Sequence, residues 1–317
     1  MKQTGSHGRV QKAKVAARPR HALWCAFALM VWLSASGAGC PQVVQQYTQP
    51  MPRALPPTAS LQQVINVVND NSARVQTVST TRASLLVPGA PSLNANIAFS
   101  RPRSFRLVAQ KFIGPEVDMG SNDEQLWFWV KHSPSPAMFY CRHADFGASA
   151  ARQVIPVEPE WLIAAMGVVT IDPNDEIRGP TPVGKNRLEI QTRSKTSTDG
   201  ISKITIIDDT RGVVLEEHVY DAQRNRLASA VLSKHVRDPV SGVTLPRHVE
   251  IQMPPSNLNL TIDMSDVQIN QLTTTTPDLF NRPSYSGYPE VDLAHPNGQL
   301  TPNANGPSGA PAQARYQ

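Results

Sequence analysis

The sequence predicts a mainly β (α+β) chain with two helices and one large antiparallel sheet. Three observations lead there. From residue 60 to 283, apolar residues recur mostly with the period of two that half-buried strands need. Only two stretches place them at helical spacing. The strand candidates are separated by short turn-forming segments, so consecutive strands become antiparallel neighbours. About eleven strands are too many for a flat open sheet, which must curl, split or close. Curled, with the helices on its concave side, it would enclose an apolar interior.

The first element is a helix. Ser60 suits the N-cap and Gln63 completes a capping box, while Leu61, Val64, Ile65 and Val68 mark one face. Strands follow at 78–87 and 93–100, flanking Pro88-Gly89-Ala90-Pro91, then at 105–112, 116–120, 126–130 and 138–141. A second helix is predicted over 158–166, with Pro159 in its first turn and Glu158 and Glu160 at the positive end of its dipole. Strands resume at 186–192, 201–207, 213–220, 227–235, 244–253 and 258–269. The turns between them are built on Asp208-Asp209-Thr210-Arg211-Gly212, Asp221 to Asn225 and Asp238 to Gly242.

The ends of the chain read differently. Lys2, Arg9, Lys12, Lys14, Arg18 and Arg20 precede an apolar run from Ala22 to Leu33, and small residues lead to Cys40. This is the plan of an export signal over 1–39. The apolar run falls short of the roughly 20 residues that span a bilayer. Small residues before a cysteine resemble the lipobox of bacterial lipoproteins. That resemblance implies cleavage before Cys40 and covalent lipid on it; cleavage after Ala35 or Ala38, or an uncleaved anchor, are the alternatives. Residues 40–59 read as a lipidated cysteine and flexible tether, and 284–317, rich in Pro, Asn, Gly and Ala, as a disordered tail.

The signal changes the charge argument. The chain carries 30 basic and 25 acidic residues, and the six basic ones before Cys40 leave with the signal. The remainder, 24 against 25, is close to neutral and gives no reason to expect nucleic acid. Of three cysteines only Cys141 would stay unmodified, so no intramolecular disulfide can form and the fold rests on its core.

Phe105-Arg106-Leu107-Val108, Phe112-Ile113-Gly114, Glu116-Val117-Asp118, Gln125-Leu126-Trp127 and Trp161 to Gly167 together resemble the LolA/LolB lipoprotein carriers and receptors, with LolB, itself a lipoprotein, the nearer. The resemblance covers about residues 60–270. It implies a curled antiparallel half-barrel of about eleven strands with helices as a lid on the concave side. It further implies a cavity for acyl chains, and an exposed apolar loop at Phe112 and Ile113 that meets membrane or cargo. Packed beneath the barrel rim, the same two residues would be structural.

Ile97, Phe99, Leu107, Trp127, Trp129, Ile204 and Ile206 are the candidate cavity lining, and each would serve equally in a packed core. His132, Cys141, His143 and Asp145 match no metal-ligand spacing, so neither metal nor cofactor is expected beyond the lipid on Cys40. No nucleophile elbow, phosphate loop or His-Glu-x-x-His is present, and Asp208-Asp209 and Glu216-Glu217 point to opposite strand faces. The expectation is a non-enzymatic, exported lipoprotein, facing the periplasm or cell exterior and more at home in an outer than an inner membrane. Its partners would be the membrane, acyl chains of lipids or lipoproteins, and a periplasmic carrier. The alternative is a non-catalytic envelope scaffold on the same fold.

Overall fold

The computed structural model describes residues 51–196, 199–272 and 278–295. The expected export signal, Cys40, the start of the tether and residues 296–317 lie outside the described residues.

Helix α1 (Leu61–Ala73) begins where the capping box places it. Gln63 N donates to Ser60 Oγ at 3.3 Å and Ser60 N donates to Gln63 Oε1 at 2.8 Å. A meander follows: β1 (Thr77–Leu86), β2 (Leu93–Ser100), β3 (Ser104–Lys111), β4 (Gly114–Ser121), β5 (Gln125–Val130) and β6 (Met138–Arg142). Three short helices cross over: α2 (His143–Phe146), α3 (Ala151–Val154) and α4 (Glu160–Ala165). The second meander holds β7 (Glu176–Pro182), β8 (Arg187–Arg193), β9 (Ser202–Asp208), β10 (Val214–Tyr220) and β11 (Arg226–Ser233). It continues through β12 (Val236–Arg237), β13 (Thr244–Leu245), β14 (His248–Met253) and β15 (Leu258–Ile269), and β16 (Glu290–Asp292) comes last.

Fourteen of these strands form one sheet, in the order β16-β6-β5-β4-β3-β2-β1-β15-β14-β11-β10-β9-β8-β7. The two meanders are sewn together where β15 returns to pair with β1. All neighbours are antiparallel except β16, which runs parallel to β6. The expected architecture, a large curled antiparallel sheet that does not close, is the observed one.

The concave side holds the main core. Val64, Ile65 and Val68 of α1 and Trp161, Leu162, Ile163 and Ala165 of α4 share one buried cluster with Phe99, Leu107, Ile190, Ile207, Leu232 and Ile262 of the sheet. Side-chain amides fix α1 in place. Asn69 donates to Ile171 O and accepts from Ile171 N, both at 2.8 Å. Asn71 does the same with Thr244, at 2.9 and 2.8 Å. Each amide therefore satisfies both backbone groups of a residue outside the fourteen-stranded sheet, Ile171 in a loop and Thr244 in β13.

The structure corrects several expectations. The second helix is shorter than 158–166. The strand expected over 244–253 breaks at Pro246, which lacks the N–H a continuous ladder needs. Strand β7 was not anticipated: it is an edge strand, almost wholly exposed, without apolar alternation. The tail expected to be disordered from 284 is ordered through 295. Tyr285 and Tyr288 pack on Trp129, β16 pairs with β6, and Leu293 is buried. Aromatic side chains with a buried aromatic partner have a reason to order that composition alone does not register.

Candidate functional site

A cavity of about 310 Å³ lies on the concave side, between α4, the β2–β3 turn and the β9–β10 pair. Val157, Trp161, Ile163, Ala164, Val168, Ile201 and Val219 supply its apolar wall. Charged groups stand at it too: Arg101, Glu158, Glu160 and Lys203. Helix α4 takes its position from the burial of Trp161, Leu162 and Ile163, and Gly167 ends it with φ +95 in a spot where a Cβ would strike Pro246.

Two of those four groups are already engaged at close range. Arg101 Nη1 donates to Ser72 O at 3.0 Å and Nη2 to Thr170 Oγ1 at 3.4 Å. Glu160 pairs with Arg103 at 2.9 Å. Burial pushes the Glu158 carboxyl above its ordinary range, against the pull of Arg152. Lys203 projects from β9 beside Val219 and is 44 % exposed; its ion pair with Glu217 Oε1 is 3.9 Å long. Glu217 is 1 % exposed, and its Oε2 has no hydrogen-bond partner. Burial raises its pKa, with Lys203 opposing.

None of the seven candidate lining residues borders this cavity. Ile97, Phe99 and Leu107 sit on the face of the sheet that α1 and α4 cover, closed into the core. Trp127 and Trp129 point the other way. They form a separate convex cluster with Met138, Tyr140, Tyr285 and Tyr288. Ile204 and Ile206 also face outward, beside Arg187, Glu216 and His218, while their neighbours Thr205 and Ile207 turn inward and are buried. In both strands each face carries apolar residues, so alternation fixes which residues belong together but not which side is concave.

The convex cluster went unnoticed in the sequence. At its centre Asp118, fully buried, accepts from Arg106 at 2.9 Å, Tyr285 Oη at 2.7 Å and Trp127 Nε1 at 3.3 Å. Arg106 also donates to Leu279 O at 3.0 Å, and Arg282 lies 3.9 Å above the Tyr140 ring. Burial, reinforced by Asp118, raises the Tyr285 pKa. Gly120 faces Trp127, where a Cβ would overlap the indole and stand 2.9 Å from Phe105 O. Arg282, Tyr285 and Tyr288, closely spaced in a Pro-rich stretch, were the available signal.

At the β3–β4 hairpin tip Phe112 is 106 % exposed and Ile113 83 %. Gly114 turns the tip with φ +128. Just behind it Glu116 gathers Lys111 at 3.5 Å, Lys131 at 3.3 Å and His132 at 3.1 Å. Desolvation would raise the Glu116 pKa, but those cations bring it below its usual value.

His143 is engaged with Asn122 O at 2.7 Å, and burial raises the Cys141 thiol. Among the described residues no group of three or more metal-ligating side chains comes together. Among them, too, no helix is long and apolar enough to cross a membrane.

No family model matches this sequence. No curated protein matches it either. Among solved structures the chain is similar to a putative outer membrane lipoprotein-sorting protein domain from Vibrio parahaemolyticus, at 8 % identity over 70 % of this chain and 97 % of that one, with TM-score 0.44. It is similar to a DUF1329 family protein from Desulfovibrio piger, at 12 % identity over 67 % and 96 %, with TM-score 0.42. It is also similar to a LolA superfamily protein from Nitrosomonas europaea, at 9 % identity over 67 % and 96 %, with TM-score 0.41.

Proposed function

We propose that this chain is an exported, membrane-tethered lipoprotein that binds acyl chains of lipids or lipoproteins without covalent chemistry, as a carrier or receptor in the cell envelope. The observation that carries the reading is the cavity of about 310 Å³ under α4, apolar in most of its wall. That volume lies at the low end of the roughly 300–1,000 Å³ typical of ligand pockets, room for one chain rather than several. The exposed pair Phe112 and Ile113 supports contact with a bilayer or with cargo. Lipid on Cys40 supplies the tether, the signal over 1–39 the export, and a periplasmic carrier is the partner that would deliver cargo.

One observation favours the rival, an envelope scaffold: Ile97, Phe99 and Leu107 are closed into a packed core. Native mass spectrometry separates the two. The gently purified protein is expected to carry a discrete extra mass that dissociates as lipid. A bare polypeptide mass that persists after phospholipid and a diacylated peptide are added would favour the scaffold.

A further inference from the structure

We propose that Lys203 reads the head group of the bound chain: the cavity under α4 takes a single-chain amphiphile ending in an anion, carboxylate or phosphate, in preference to a neutral chain of the same length. This inference rests on the acyl-binding reading and adds the chemistry of the ligand's polar end.

The geometry carries it. Lys203 belongs to the cavity wall yet is 44 % exposed, so its ammonium stands where an apolar interior meets water. An amphiphile seated with its chain against Val157, Trp161 and Val168 would bring its head to that boundary. The ammonium also has capacity to spare. Its contact with Glu217 is 3.9 Å, beyond hydrogen-bonding reach. Glu217 is buried with Oε2 unpartnered, an environment that disfavours its charged form and so weakens its hold on the lysine.

The other charged groups at the wall do not cancel this. Glu160 is matched by Arg103, and the donors of Arg101 are held by Ser72 and Thr170. Burial raises the Glu158 pKa and so weakens its opposing charge.

The test is calorimetric titration of the delipidated full chain with decanoate, decyl phosphate and decanol. Both anions are expected to bind about tenfold more tightly than decanol, the weight of one charge-assisted contact. Lys203→Met, which keeps the apolar stem, should erase that preference; Lys203→Arg should retain it. Ala164→Trp, which fills the cavity, should weaken all three. The carboxylate and phosphate arms show which anion is preferred. Equal binding of decanol and the anions, or anion binding indifferent to Lys203→Met, overturns the head-group inference and leaves acyl binding standing. If no chain binds at all, the acyl-binding reading fails and this inference with it.

Discussion

Arg106 and Asp118 meet at 2.9 Å across β3 and β4, on the convex side of the sheet, beneath a segment that lies more than 150 residues further along the chain. Removing the carboxylate would leave Arg106, largely covered, without its counter-charge. Asp118→Ala is therefore expected to cost about 3 kcal/mol, the usual penalty for breaking a buried pair from one side. Tyr285→Phe loses one hydrogen bond and keeps the stacking on Trp129, so about 1–2 kcal/mol is expected. Urea unfolding of both variants measures this. Wild-type stability for Asp118→Ala would mean the segment over 278–295 does not close the cluster in solution.

The amides of Asn69 and Asn71 hold α1 to the loop at Ile171 and to β13 at Thr244. Either residue changed to alanine leaves a backbone N–H and C=O of Ile171 or Thr244 without their partner. Each unpaired buried group costs about 1–3 kcal/mol unless water reaches it. The double variant should be close to additive, since the two amides have separate partners. Amide hydrogen exchange checks the assignment directly: Ile171 N–H should lose protection in Asn69→Ala alone, and Thr244 N–H in Asn71→Ala alone.

Much of the fold was legible because most strands have one apolar face. Both ends of β2 and β15 follow from alternation and turn residues, and the α1 cap follows from Ser60 and Gln63. Legibility failed where local pattern carries no information. Strand β7 buries almost nothing, so no periodicity marks it. Strand β5 is apolar on both faces, Leu126 and Phe128 against Trp127 and Trp129, and β9 has apolar residues on both, Ile207 against Ile204 and Ile206. Which face is concave depends on what covers it, and for β5 the cover is the distant tyrosine segment. The cavity is hidden for the same reason, since its wall is assembled from residues as far apart as Arg101 and Val219.

The hairpin tip should separate stability from membrane contact. Phe112 and Ile113 make no buried contacts, so Phe112→Asp with Ile113→Asp is expected to change folding stability by no more than about 0.5 kcal/mol. Insertion of the protein into a lipid monolayer should fall sharply, because two large apolar side chains are replaced by charges. Unchanged insertion pressure in a stably folded variant would assign the tip no role at the membrane.

Glu217 gives a pH dependence with a definite sign. Its pKa is raised on folding, so the folded state holds its proton above pH 4.5, where the unfolded chain releases it. Stability is lost as pH rises from the unfolded value toward the folded one and is constant beyond it. Glu217→Gln removes that loss, and the variant is expected to be more stable than the native chain at pH 7 while matching it near pH 4. Thermal unfolding at the two pH values decides the point; a less stable variant at pH 7 would mean the ionised carboxylate is a net stabilising partner of Lys203.

His235 works in the opposite direction. It is well covered, and its Nε2 lies 2.9 Å from Val214 O. Burial, against that hydrogen bond and with help from the charge of Arg211, lowers its pKa from 6.5 to about 4. Well above pH 6.5 the imidazole is neutral in both states and contributes nothing to the slope. As pH falls below 6.5 the unfolded chain takes up a proton that the folded chain refuses, so stability declines until about pH 4, where both are protonated. The full penalty is on the order of 3 kcal/mol, and Asp208, which favours the charged ring, moderates it. His235→Phe cannot take up that proton. The stability difference between native chain and variant should therefore shift in the variant's favour between pH 6.5 and 4, as followed by urea unfolding across the range. A difference that stays constant over that interval would place an ordinary, solvated histidine at this position.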